Sequence, residues 1–215
     1  MARGLGRVMI LAIDTSTPIT SVAVVDGDEV LATASHDDAR GHAEVIGGLV
    51  ERVLAQAGVV RTEMVVCGVG PGPYTGLRVG ISFARALALA WGVPVHGVCS
   101  LDAVAFAIHA ENKAGGHFAV ALDARRREVF WAKYDVTGDR ELGPFVQRPA
   151  DIDPGDRGLL WCGPAADLVR PDAASVQFPD AAWIARLVHH RGAKVLVPAL
   201  PIYLRQPDAT LPVGS

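Results

Sequence analysis

Asp14-Thr15-Ser16-Thr17 closes an apolar run, Val8 to Ile13, and gathers a carboxylate and hydroxyls at one turn. In a nucleotide-binding cleft the carboxylate could hold Mg²⁺ and the hydroxyls could meet phosphate oxygens. The same residue types also satisfy a turn by bonding their own backbone, and the sequence leaves both readings open. The second candidate is Gly70-Pro71-Gly72-Pro73-Tyr74-Thr75-Gly76, set between the apolar run Met64 to Val69 and an apolar helical run. Strand, tight turn and helix in that order put the turn at the C-terminal edge of a sheet. As a phosphate loop it is poor: it does not spell G-x-x-x-x-G-K-[ST], and Pro71 and Pro73 delete two N–H donors. Either its glycines let strand and helix approach closely, or the turn lies beside a nucleotide. Asp123-Ala124-Arg125-Arg126 also follows an apolar run, but the next glycine is Gly138. Those side chains would crowd a phosphate cradle, although arginine itself pairs with anions.

No other pattern assigns chemistry. His36 and His42 are six apart, and His42-Ala43-Glu44 makes neither H-x-x-x-H nor H-E-x-x-H, so no metal site is expected. His42 reads as a helix start, and His189-His190 as a pair near a helix end. Cys67, Cys99 and Cys162 are odd in number and lack C-x-x-C spacing, which argues against structural zinc and a disulfide framework and fits the reducing cytosol. G-x-S-x-G and a Ser/His/Asp order are absent. The expectation is no catalytic, no cofactor-binding and no metal residue. The 215 residues are 50% hydrophobic and 20% charged with net charge -3, an ordinary folded composition without a basic stripe. Arg125-Arg126-Arg127 is the densest basic cluster and reads as a solvated turn ahead of an RNA site. The apolar helix after Gly76 carries Arg78 and Arg85 and is too short for a membrane span. Met1 to Arg7 lacks a signal-peptide core and reads as a loose leader, with Met9 as an alternative start.

These candidates must be positioned by an α/β framework. Val8 to Ile13, Ser21 to Val25 and Val30 to Ala34 form a meander, with Asp26-Gly27-Asp28 as the hairpin signal. A helix is expected over His42 to Gly58, with Val45, Ile46, Leu49, Val50, Val53, Leu54 and Ala57 on one face. Gly47 and Gly48 should each cost it up to about 1 kcal/mol, with close approach by another backbone as compensation. A second helix, Gly76 to Trp91, takes Thr75 as its N-cap. It is apolar nearly all round, so both sides need cover, and Gly80, Ala84 and Ala88 form a small-residue stripe suited to tight helix contact. Val93 to Val98 is a strand, and Ser100 to Ala110 a helix capped by Ser100. The pattern breaks at Asn112 to Gly116, dividing the chain into lobes 1–112 and 113–215. His117 to Leu122, Glu128 to Asp135 and Glu141 to Arg148 repeat the meander, and Val120-Ala121-Leu122-Asp123 matches Leu11-Ala12-Ile13-Asp14. The repeat implies a duplicated fold around a central cleft. The second copy is degraded: one strand, Leu159 to Cys162, and one helix, Pro179 to Arg191, follow among loops. Pro198 to Arg205 reads as an extended docking segment, and Pro207 to Ser215 as a frayed tail.

Over nearly its whole length the chain resembles the TsaB/YeaZ family of the bacterial tRNA threonylcarbamoyladenosine machinery. The resemblance rests on Ile10 to Ser16, His42-Ala43-Glu44, Gly70 to Gly80, Asp123 to Ala132 and Pro201 to Arg205. Departures are Pro73-Tyr74, where the family usually has Ser-Phe, and Arg127, where it often has Gly. The resemblance implies an actin/hsp70/sugar-kinase-like (ASKHA) fold of two lobes, each a mixed sheet with flanking helices. It implies a non-catalytic scaffold, related to the catalytic subunit TsaD but without its metal-binding histidines. TsaD transfers the threonylcarbamoyl group to the adenosine beside the anticodon of tRNAs reading codons that begin with A, and the P-loop ATPase TsaE joins it. Expected partners are therefore a TsaD-like subunit, a TsaE-like ATPase, a second copy when alone, and tRNA only through the complex. No cofactor is expected beyond weak or complex-dependent ATP or ADP binding. Family members self-associate and engage TsaD through the first two helices. That puts the partner surface near Val45, Leu49, Gly80, Ala84 and Ala88, unless the small-residue stripe packs inside the monomer. The rival readings are a sugar- or acetate-kinase-like phosphotransferase and a glycoprotease-like peptidase.

Overall fold

The computed structural model describes residues 7–38, 41–111, 113–173 and 178–205. The first sheet contains β1 (Met9–Asp14), β2 (Ile19–Asp26), β3 (Glu29–Asp37), β4 (Met64–Gly68) and β5 (Val95–Val98) in the order β3-β2-β1-β4-β5. β1 pairs antiparallel with β2 and parallel with β4. Its side chains alternate between two cores, as a strand covered on both faces requires: Leu11 and Ile13 face one, Ile10 and Ala12 the other. α1 (His42–Ala57) and α2 (Tyr74–Trp91) cover the first face, through Ile46, Leu49, Val50 and Val53 and through Leu77, Ile81, Ala84 and Ala88.

The second sheet repeats this plan with fewer parts. β6 (Phe118–Asp123), β7 (Val129–Tyr134), β8 (Arg140–Gln147) and β9 (Leu160–Cys162) lie in the order β8-β7-β6-β9. β6 pairs antiparallel with β7 and parallel with β9, as β1 does with β2 and β4. The duplication expected from the two Asp-ended strands is thus present in the pairing itself. α3 (Ser100–Ala110) serves both lobes: Ala103 and Phe106 face the first sheet, while Leu101, Val104, Ala105 and Ile108 face the second. The far face of the second sheet carries Ile152, Trp161, Ala165 and Ala166, with the single turn α4 (Pro154–Arg157) and two 3-10 turns, Pro149–Asp151 and Ala166–Leu168, in the connecting segments.

Packing departs from chain order in one respect. α5 (Ala181–Arg191) belongs by sequence to the second lobe, yet Ile184, Ala185, Leu187 and Val188 pack on Ile10, Ala23 and Val66 of the first sheet. Asp180 caps it by accepting from Ala182 N at 2.7 Å, and Ala181 N donates to Ser21 Oγ at 3.0 Å. A division at 112/113 therefore follows the repeat in the chain but not the packing. The extended segment then docks as expected: Gly97 pairs with Val197, Ile202 N donates to Val69 O at 2.8 Å, and Arg205 pairs with Glu128. Of the leader read over Met1 to Arg7, Met1 to Gly6 lies outside the described residues, as does the tail over Pro207 to Ser215, while Arg7 Nε donates to Asp26 Oδ2 at 2.8 Å.

Three expected details differ. Thr75 lies inside the first turn of α2, with Pro73 at the N-cap position and no side-chain cap. Ser100 does not cap α3, because its hydroxyl is engaged by Asp14. A Cβ on Gly47 or Gly48 would meet nothing within 4 Å, so among the described residues no other backbone closes on the two glycines.

Candidate functional site

The Asp14 turn and the Gly70–Gly76 turn occupy one another. Asp14 Oδ1 accepts from Ser16 N at 2.8 Å and Ser16 Oγ at 2.7 Å, and Oδ2 accepts from Ser100 Oγ at 2.8 Å. Ser100 Oγ in turn accepts from Gly70 N at 3.3 Å, and Thr15 Oγ1 donates to Gly76 O at 2.7 Å. Of the two readings, the turn-satisfying one describes these bonds. The turn glycines are there for space: a Cβ would lie 2.3 Å from Ser16 O at Gly72 and 2.6 Å from Thr15 O at Gly76. Burial lifts the Asp14 carboxyl to about 6 against the pull of its Ser16 and Ser100 bonds, with Asp180 adding to the rise.

The matching turn of the second lobe is open to solvent. Asp123 accepts from Arg125 N at 2.7 Å, and Arg125, Arg126 and Arg127 follow at φ 60°, 56° and 60°, all exposed. Arg127 thus stands at a left-handed position that glycine enters without penalty. Pro73, Asp123 and Arg125 divide the interlobe cleft into two cavities of about 200 and 190 Å³.

The five predicted interface residues are placed as follows. Leu49, Gly80, Ala84 and Ala88 are buried within the monomer, and Val45 is half-buried. A Cβ on Gly80 would sit 2.2 Å from Thr15 Oγ1, and Ala84 is 0% exposed in the first core. The stripe thus lets α2 lie close on its own sheet, the competing placement, and those four cannot centre a partner surface. Two residues advance a helix by about 200°, so the outward face is carried by neighbours two positions on. Ser82, Ala86 and Ala90 form an exposed small-residue row there, beside Leu89 at 84% exposure. On α1, Gly48 is exposed and Val45 and Gly47 are half-buried. On α2 the residues picked from the sequence face the core, and Leu89, an apolar residue out of phase with Gly80, Ala84 and Ala88, lies on the outward side.

The remaining candidates have structural partners. His42 begins α1, with Nδ1 at 2.6 Å from Thr20 Oγ1, and burial lowers its pKa. His190 Nε2 and Arg186 Nε meet Asp28 Oδ1 at 3.0 and 2.8 Å, and the Arg186 bond holds that carboxyl down at about 2. Cys67 and Cys99 are buried core residues, with burial pushing each thiol up to about 12. Among the described residues no group of three or more His, Cys, Asp or Glu is arranged to hold a metal ion, and no helix is long and apolar enough to cross a membrane.

Fold and turns together define a duplicated α/β protein of two mixed sheets whose Asp14 turn is closed by residues of its own chain. The family model for TsaD, tRNA N6-adenosine threonylcarbamoyltransferase, matches residues 29–183. Crystal structures from Pseudomonas aeruginosa, one described as YeaZ and one as similar to peptidase YEAZ, superpose with TM-scores of 0.75 and 0.76 at 29% and 30% identity. They cover 91% and 92% of this chain and 99% of theirs. An uncharacterized Mycobacterium tuberculosis protein is 40% identical over 93% of both chains. The TsaB protein of Escherichia coli is 39% identical over 129 residues, 58% of this chain and 54% of its own. The chain belongs to the TsaB/YeaZ family, the non-catalytic paralogues of TsaD.

Proposed function

We propose that this chain is a non-catalytic subunit in tRNA threonylcarbamoyladenosine biosynthesis, where it scaffolds a TsaD-like transferase. The observation that carries the reading is the outward face of α1 and α2, where Leu89 is 84% exposed beside small residues and a Cβ on Gly47 or Gly48 would enter open space. Exposed apolar surface next to small residues suits close helix-on-helix contact. Alone, the chain pairs with a second copy through this face. In the complex the face meets TsaD, a TsaE-like ATPase joins, tRNA is modified only in the assembly, and ATP or ADP binds weakly or only in the complex. The chain works in the cytoplasm.

The test is co-purification with the cognate TsaD and reconstitution of tRNA modification with and without this chain. Modification is expected only with it, and Leu89→Asp should abolish both co-purification and modification. Full modification without the chain would refute the scaffold role. ATP turnover by the isolated chain, lost in Asp14→Ala, would restore the kinase reading.

A further inference from the structure

The Arg125–Arg127 turn takes no part in the fold's cores or in the α1/α2 face, yet its surroundings match one ligand chemistry. Arg125 and Arg126 line the cavity of about 200 Å³ together with Tyr74, Phe130 and Tyr203. Tyr74 and Tyr203 are stacked, with ring centroids 4.9 Å apart and planes 23° from parallel. The guanidinium of Arg78 lies 4.3 Å from the Tyr74 centroid, so Tyr74 has both a ring and a cation against it. Tyr203 is 40% exposed, and among the described residues no other ring or cation is stacked on it. A planar group could extend this column while the arginines meet phosphates.

We propose that the cleft mouth is a contact site for single-stranded RNA, with a base stacked on Tyr203 and flanking phosphates held by Arg125, Arg126 and Arg127. Stacking surfaces beside arginines are how proteins hold unpaired nucleotides. Arg127 lies outside the cavity lining, so positive charge continues past the mouth, as an extended polyanion requires. Asp123 is 3.5 Å from Arg125 Nη1, but that exposed pair yields readily to a phosphate. The choice of RNA rests on the proposed role in tRNA modification, and the site's geometry does not.

The backbone supplies an unusual control. Arg126 and Arg127 sit at positive φ, so Arg126→Gly/Arg127→Gly removes both guanidinium groups while relieving the backbone. Binding of a fluorescent anticodon stem-loop RNA to the isolated chain is measured by anisotropy from 20 to 200 mM salt, alongside thermal melting. The double variant is expected to bind five- to tenfold more weakly, to flatten the log–log salt slope by about 1.4 at roughly 0.7 per lost phosphate contact, and to keep a cooperative melting transition. Tyr203→Ala should weaken binding at least threefold and Tyr203→Phe should not. Unchanged affinity and slope in the double variant would overturn the proposal, as would displacement of the RNA by ATP at equal concentration, which would make the ligand a free nucleotide. Because the assay omits TsaD, its failure is distinct from failure of the scaffold role, which co-purification reads.

Discussion

Replacing Asp14 by Asn should turn a pH-dependent stability into a flatter one. The carboxyl is 1% exposed and titrates at about 6 in the fold against an ordinary aspartate value of 3.8. It therefore holds its proton more tightly folded than unfolded. The associated stability is fully present below about pH 3.8 and is lost as the pH rises through about 6. A displacement of roughly two pH units at 1.36 kcal/mol each amounts to about 3 kcal/mol, of which roughly 1.4 kcal/mol is lost between pH 5 and 8. Asparagine keeps an acceptor for Ser16 N and Oγ but no acceptor for the Ser100 hydroxyl, a loss of about 1 kcal/mol. Urea unfolding at pH 5 and 8, followed by tryptophan fluorescence, should show wild type ahead at pH 5. By pH 8 the difference should have moved about 1.4 kcal/mol toward the variant, cancelling or reversing that advantage, with the m-value unchanged. A difference between the two proteins that is the same at both pH values would refute the account.

Other substitutions separate core from surface. Ala84→Glu should unfold the monomer, by about 3 kcal/mol or more, because it places a carboxylate where exposure is 0%, whereas Leu89→Asp should shift stability by less than about 0.5 kcal/mol; circular dichroism melting reads both, and sedimentation reads loss of association for Leu89→Asp alone. Gly47→Ala with Gly48→Ala should stabilise the monomer by up to about 1 kcal/mol each and weaken self-association, since the added methyl groups meet nothing within this chain. Equal self-association would place the second copy elsewhere. Gly72→Ala should cost about 1–3 kcal/mol in denaturant unfolding, because its Cβ would lie 2.3 Å from the Ser16 carbonyl oxygen; a neutral result would mean the two turns separate without loss.

The repeat was legible because burial on both faces imposes uninterrupted apolar runs, and both β1 and β6 end in Asp. The helices were legible from spacing, to within two residues for α2. The facing of α2 was not. A helix with Gly, Ala and Leu on every side gives periodicity too shallow to show which small residues meet the sheet, and Thr15 behind Gly80 decides it. The true partner of Ser100 was hidden as well, because Asp14 lies 86 residues away. The return of α5 to the first sheet rests on Ser21 meeting Ala181 across 160 residues, a pairing no local pattern encodes. At Arg125 to Arg127 the residue types announced charge and concealed the left-handed backbone, which arginine adopts rarely.

α5 has a consequence for synthesis. One face of the first sheet, with Ile10, Ala12, Ala23 and Val66, gains Ile184, Ala185 and Val188 only when the last helix is made. From the end of α3 at Ala110 to Arg191 about 80 residues must be translated, some 4–16 s at roughly 5–20 residues per second. Through that interval the nascent first lobe has its strands paired and an apolar face partly bare. The length of chain between β8 and α5 therefore sets how long that face waits for its cover during synthesis.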